Sequence, residues 1–221
     1  SPRAVGGGGL ANSASTPSPR SKSDSGDDLT ELKLRKEGTE GEEELGSSKK
    51  QPGDGDAARK WGPPLPNGDG AIFHSVNMGK LSIMVDMKDP AALAALKALI
   101  REEADVVLQN LRSGAAGRLG LGAETLRAEK PSLIYCNMWA FGAKGPLADR
   151  PGYDPLMQAF TGIVSLTGEA DGPPARVGVS LMDLGTGMWA AIGIVSALFR
   201  RAETGEGGAI DVSLFETGVG W

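Results

Sequence analysis

The chain of 221 residues has one cysteine, one histidine and, ahead of Trp61, no aromatic residue, isoleucine or methionine at all. A lone Cys136 permits no internal disulfide and no cysteine-built zinc site, and it suits a reducing compartment. A lone His74 builds no histidine cluster, so no metal is expected. The scarcity of bulky apolar groups before Trp61 leaves too little surface to bury against the entropy of ordering. Residues 1–52 therefore read as a disordered, low-complexity leader, and the core-forming material sits in 53–221. Excess basic charge is also missing. A net charge of −5, with acids gathered at Glu40, Glu42, Glu43 and Glu44, excludes the basic face of a nucleic-acid binder. The longest apolar run, 188–199, stops at Arg200 and Arg201, short of the ~20 residues of a spanning helix. A membrane partner is not expected. Residues 1–20 lack the apolar stretch of a secretory signal. The expected compartment is the cytoplasm, with the mitochondrial matrix left open.

From Leu81 onward, strand-like and helix-like segments alternate. Residues 82–87 form a short apolar run with strand character. Asp89 and Pro90 then signal a helix start, because the carboxylate accepts from free amides and proline suits the first helical position. Leu93, Leu96, Leu99 and Ile100 share one helical face up to about Glu103. Further strands are predicted over 105–110, 133–137 and 209–214, with short helices over 123–129 and 154–161. Residues 188–201 are apolar on nearly every side, which predicts a buried helix stopped at Thr204 and Gly205. Such alternation gives βαβ units and an α/β fold: an open, mostly parallel Rossmann-like sheet with flanking helices.

Ligands of open parallel sheets bind beyond the carboxyl ends of the strands. The candidate turns are Asn110-Leu-Arg-Ser-Gly114, Met138-Trp-Ala-Phe-Gly142 and the loop carrying Asp171. Arg112 and Arg118 suit bidentate contacts to phosphate, and Trp139 and Phe141 suit stacking on a flat ring. On the residues alone, solvated arginines and core aromatics are the commoner outcome. No G-x-x-x-x-G-K-[ST] is present, Gly117, Gly120 and Gly122 do not fall in G-x-G-x-x-G order, and no serine lies in a G-x-S-x-G elbow.

A series of short stations occurs in order along the chain. They are Gly53-Asp54 with Trp61-Gly-Pro-Pro64, Asn77-Met-Gly-Lys80, Ala104-Asp-Val-Val with Asn110-Leu-Arg-Ser-Gly114, Arg118-Leu-Gly-Leu-Gly122 and Phe141-Gly-Ala-Lys-Gly-Pro146. Arg150-Pro-Gly-Tyr-Asp154, Asp171-Gly-Pro-Pro174, Asp183-Leu-Gly-Thr-Gly187 and Thr204-Gly-Glu-Gly207 follow. Through them, residues 53–215 resemble the family III CoA-transferases of the formyl-CoA transferase and carnitine CoA-transferase type. The resemblance implies a partial large domain, since neither the family's opening βα unit nor its continuation beyond this length has a counterpart here. It also implies an interlocked homodimer, acyl-CoA and carboxylic acid substrates, and no tightly bound cofactor, with coenzyme A entering as acyl-CoA.

The resemblance places the nucleophile at Asp171. An aspartate, with a reference pKa of about 3.9, is ionised at neutral pH and attacks a thioester without a general base. CoA would then pass through a covalent aspartyl-CoA thioester. By the same carry-over Lys80, Asn110, Leu111, Arg112 and Arg118 line the CoA site, with Trp139 and Phe141 flanking it. Two alternatives are an acyl-CoA racemase of the same superfamily and an inactive truncated fragment. The racemase needs a histidine where this chain has Tyr153, with its aspartate at Asp183. A tyrosine, with a reference pKa of about 10, is a poor base at neutral pH. Asp154 and Asp183 then fall to structural roles as helix caps.

Overall fold

A computed structural model describes residues 56–62 and 68–221, together with the backbone strand β1 (Leu29–Leu34). The expected leader over 1–52 otherwise lies outside the described residues, as do Gly53-Asp54 and Pro63-Pro64. Nothing in the composition of 1–52 predicted β1. It pairs antiparallel with β2 (Leu81–Asp86), from Leu29 opposite Asp86 to Leu34 opposite Leu81.

The main sheet has three parallel strands in the order β3 (Val106–Gln109), β4 (Ile134–Trp139) and β5 (Gly208–Ser213). The expected α/β class and parallel sheet are present. One strand departs from expectation: β2 does not join this sheet. It pairs with β1 instead, and Val85 in β2 and Met87 just after it tie that pair to the rest of the molecule.

Helix α1 (Ala71–Asn77) precedes β2, and α2 (Pro90–Glu103) follows it. Helix α2 starts where the sequence indicated, with Asp89 Oδ1 accepting from Ala91 N at 2.9 Å. Its buried residues Leu96 and Ile100 pack with Leu121, Leu126, Leu133 and Tyr135 into a first core cluster. Two short helices, α3 (Ala115–Arg118) and α4 (Ala123–Glu129), lie between β3 and β4. Tyr135, almost fully buried, donates its hydroxyl to Leu121 O at 2.7 Å, and burial pushes its pKa up to about 12.

Beyond β4 come α5 (Asp154–Phe160), a 3₁₀ turn at Ile163–Ser165, α6 (Leu181–Thr204), β5 and α7 (Leu214–Gly220). Met157, Met182 and Leu214 form a second core cluster with Phe141, Ile163, Leu181 and Phe215 around them. The expected helix over 188–201 is part of the longer α6, which by length and composition alone reaches the size of a membrane span. It does not have the burial expected of it. Met182, Gly185, Thr186 and Ala190 are buried, and Gly193 lets the helix approach β5, where a Cβ would meet Ile210 Cγ2 at 3.0 Å. Leu184, Met188, Ile192, Val195 and Phe199 on the other side are 54–71% exposed. The sheet covers one side of the helix only. Gly205, at φ 74°, ends α6 as its Thr-Gly signal predicted.

Candidate active site

The chain leaves β3 and β4 at the same end of the sheet, because the two strands are parallel neighbours. Asn110 and Arg112 are exposed there, whereas Leu111 is half-buried against the first core cluster. Ala115 N donates to Arg112 O at 2.9 Å and closes the turn. Gly114, at φ 73°, then turns the chain into α3. A Cβ on Gly114 would lie 3.1 Å from Arg118 Nη1, so the Arg118 guanidinium folds back over the same turn. Four candidates, Asn110, Leu111, Arg112 and Arg118, therefore meet in one place. Two guanidinium-bearing residues on one short turn have the chemistry for a phosphate-bearing ligand.

Trp139 closes β4 beside that turn, and its buried Nε1 has no hydrogen-bond partner among the described residues. Phe141 has found other rings. Its centroid lies 5.3 Å from Phe160 in a T-shaped pair and 6.1 Å from Phe215. Lys80 is exposed at the entry to β2 and lines a cleft of about 320 Å³ with Arg59, Phe73, His74 and Asn77. None of the other candidates lines that cleft. His74 lies there 3.5 Å from Asp69, on an element remote in sequence from the other candidate turns. Cys136 is fully buried in β4, where burial first and the Asp211 carboxylate second raise its thiol to about 11. It is an unreactive thiol at neutral pH.

Asp171 sits in an exposed turn of the loop 166–180, closed by Gly172 N donating to Glu169 O at 3.0 Å. Among the described residues its carboxylate has no hydrogen bond or ion pair. The loop around it is held firmly. Thr167 Oγ1 donates to Ile163 O at 2.9 Å, and Ala175 N to Thr167 O at 3.3 Å. Fully buried Gln158 holds the outgoing arm, with Oε1 accepting from Val177 N at 2.8 Å and Nε2 donating to Val179 O at 3.3 Å. The carboxylate is thus presented to solvent on a braced loop.

Sequence reasoning placed Asp154 as a cap and overlooked Gln158. They lie one helical turn apart on α5, and Gln158 Nε2 donates to Asp154 Oδ1 at 2.6 Å. Asp154 Oδ2 accepts from Met182 N at 2.6 Å and Asp183 N at 3.3 Å, so it caps α6 rather than its own helix. Gly152 permits this packing, because a Cβ there would overlap Met157 Cε and lie 2.9 Å from Ala140 Cβ. The i,i+4 spacing of Asp154 and Gln158 was readable as a surface pair. Only tertiary structure shows that both are buried.

Asp183 is exposed in the first turn of α6, and its pKa is raised, by partial desolvation first and by the Asp154 carboxylate second. A carboxyl with a raised folded pKa binds more protons folded than unfolded. Stability therefore falls as pH rises from the unfolded value, about 3.9, through the raised folded one, and the deficit persists above it. Asp183→Asn is expected to raise the melting temperature at pH 7 and flatten that slope. An unchanged slope with no gain at pH 7 would contradict the assignment.

Known proteins resemble the chain in sequence and in fold. Residues 50–221 match CoA-transferase family III. The chain is 41% identical over 171 residues to a succinate–glutarate CoA-transferase of Agrobacterium fabrum, covering 75% of this chain and 42% of that protein. It is 46% identical over 167 residues to an acetyl-CoA:oxalate CoA-transferase of Acetobacter aceti, again covering 75% and 42%. The crystal structure of a CAIB/BAIF family protein from Brucella suis superposes with a TM-score of 0.70 at 42% identity, over 75% of this chain and 45% of that one. The chain thus spans about two-fifths of the length of these curated relatives.

Proposed function

Because the chain belongs to CoA-transferase family III, we propose that it moves coenzyme A between an acyl-CoA and a free carboxylic acid, with Asp171 as the covalent carrier. The observation that carries this reading is the exposed Asp171 carboxylate, without a partner among the described residues, on a loop braced by Gln158. A nucleophile must be free of competing hydrogen bonds yet held in place, and Asp171 meets both conditions.

A carboxylate oxygen of Asp171 attacks the thioester carbonyl, the C–S bond breaks, and CoA leaves as thiolate. The product is a mixed anhydride of Asp171 and the donor acid. The thiolate attacks Cγ of Asp171 and expels the donor carboxylate, leaving the aspartyl-CoA thioester. An acceptor carboxylate then attacks Cγ, and CoA leaves again. Finally the thiolate attacks the acceptor's own carbonyl in the second anhydride, releasing the new acyl-CoA and free Asp171. No net proton moves, so no general base is required. Arg112 and Arg118 would hold CoA phosphate groups. Relatives that act on succinate, glutarate and oxalate point to short dicarboxylic acids as substrates.

The apolar outer side of α6 offers a surface for the proposed homodimer. The single buried thiol suits a reducing compartment, cytoplasm or mitochondrial matrix. Proton exchange at an α-carbon is not adopted, because Tyr153 stands where the racemase histidine would, and the chain's lone histidine is His74. The test is to incubate the full-length protein with succinyl-CoA and glutarate or oxalate in deuterated water. Transfer to the acceptor without deuterium at the α-carbon is expected. Deuterium incorporation without transfer would overturn the reading.

A further inference from the structure

Three polar side chains stand side by side across the parallel sheet. Gln109 on β3 is opposite Asn137 on β4, and Asn137 is opposite Asp211 on β5. Asn137 Nδ2 donates to Asp211 Oδ1 at 2.7 Å, Gln109 Nε2 donates to Asn137 Oδ1 at 2.6 Å, and Gln109 Oε1 accepts from Leu111 N at 2.7 Å. We propose that Asp211, Asn137 and Gln109 are positioning residues that set the Asn110–Arg112 turn for its ligand. The proposal rests on the reading above that this turn receives CoA.

The direction of the chain follows from its ends. At one end stands a carboxylate, which when ionised only accepts. At the other end is the Leu111 amide N–H, which only donates. Each amide between them can face either way, but one arrangement alone satisfies every link. The carboxylate takes the NH₂ of Asn137, which turns the Asn137 oxygen toward Gln109. Gln109 then gives its NH₂ to Asn137 and its oxygen to Leu111 N. A charge on β5 thereby fixes a backbone amide beyond the end of β3, two strands away.

Location gives this relay a functional meaning. Asn137 is buried, 9% exposed, in the central strand, where an amide left without partners would be costly. A hydrophobic residue would be the simpler filling for such a position. The polar chain instead ends on the residue between Asn110 and Arg112, whose side chains are exposed at the end of the sheet. Leu111 itself is anchored by apolar packing against the first core cluster. Backbone hydrogen bond and side-chain packing together leave the turn little freedom. A pre-ordered turn binds its ligand without a further ordering cost, so the relay should act on acyl-CoA affinity rather than on the chemical step.

Three variants of the full-length protein test this: Gln109→Met, Asn137→Leu and Asp211→Asn. Gln109→Met cuts the relay at the turn without altering the central strand, and so remains informative should Asn137→Leu fold poorly. Asp211→Asn retains a carbonyl oxygen that can accept from Asn137 but no longer dictates which way the amides face, and so tests the direction of the relay. Hydrogen–deuterium exchange is read at the peptide containing Leu111, and steady-state kinetics are read with succinyl-CoA. Gln109→Met and Asn137→Leu are expected to speed exchange at Leu111 about tenfold or more. They should raise the KM for succinyl-CoA about 5- to 30-fold, with kcat within about twofold. Asp211→Asn, which loses the group that fixes the relay's direction, should shift both in the same sense but by less than Asn137→Leu.

Unchanged exchange at Leu111 in Gln109→Met overturns the relay. Faster exchange with an unchanged KM, or with a loss confined to kcat, overturns its role in CoA binding. Failure of the Asp171 chemistry would look different. The parent protein would then form no adduct at Asp171, while exchange at Leu111 would still report on the relay.

Discussion

Asp171→Asn is expected to abolish CoA transfer, with a fall on the order of 10⁴-fold or more, while thermal stability stays within about 0.5 kcal/mol of the parent. The two halves of that expectation have separate causes. Activity is lost because an amide in place of the carboxylate cannot form the anhydride that begins the exchange of CoA. Stability is retained because Asp171 is exposed and its carboxylate has no partner among the described residues. Exchange of CoA between succinyl-CoA and glutarate checks the first half, and urea unfolding checks the second. Near-parental transfer by Asp171→Asn would remove Asp171 from the mechanism.

Asp154→Ala is expected to do the reverse, acting on stability first. Asp154 is 3% exposed and accepts from Met182 N, Asp183 N and Gln158 Nε2. Removing the carboxylate strips the N-terminus of α6 of its cap and frees the amide that braces the Asp171 loop. The cost should be about 2–4 kcal/mol, the size of charge-assisted hydrogen bonds lost with their donors left buried. Activity should fall as well, because a loose Val177–Val179 arm no longer fixes Asp171. Gln158→Leu separates the two effects: it leaves the Asp154 contacts to α6 and removes the brace together with the one hydrogen bond from Gln158 to Asp154. A larger loss of kcat relative to stability is expected for Gln158→Leu than for Asp154→Ala. Equal proportions in the two variants would contradict the bracing role.

Those two residues mark the limit of what could be read from the sequence. Strands β2 to β5 and helices α2, α4 and α5 follow from local signals such as apolar runs, the Asp89-Pro90 start and the Thr204-Gly205 stop. Helix α7 had a signal that went unused. Ser213-Leu-Phe-Glu216 is a capping box, with Ser213 Oγ accepting from Glu216 N at 3.1 Å and donating to Glu216 Oε2 at 2.8 Å. Its two glycines lower helix propensity, and tertiary contacts such as the Thr186–Thr217 hydroxyl pair at 2.9 Å stabilise it. The partial exposure of α6 could not be read from its composition, because an all-round apolar helix does not reveal how many of its sides are covered.

The candidate site divides in the same way. The turns after β3 and β4 were found by the rule that ligands meet parallel sheets at strand ends, and the structure brings Asn110, Leu111, Arg112 and Arg118 together there. Asp171 was found through the Asp-Gly-Pro-Pro resemblance. The Asp211–Asn137–Gln109 relay was invisible, because strand register decides which side chains stand opposite one another. Gln158 was missed for a related reason: its partners, Val177 and Val179, lie across a loop whose path no local pattern specifies.

The most direct measurement is chemical trapping on the full-length protein. Succinyl-CoA is added, then hydroxylamine, which attacks Cγ of an aspartyl-CoA thioester, expels CoA and leaves a hydroxamate. Peptide mass spectrometry locates the modified residue. The account predicts a hydroxamate at Asp171 that requires succinyl-CoA and is absent from Asp171→Asn. A hydroxamate on another carboxylate, or transfer proceeding with Asp171 unmodified under the same conditions, would contradict it.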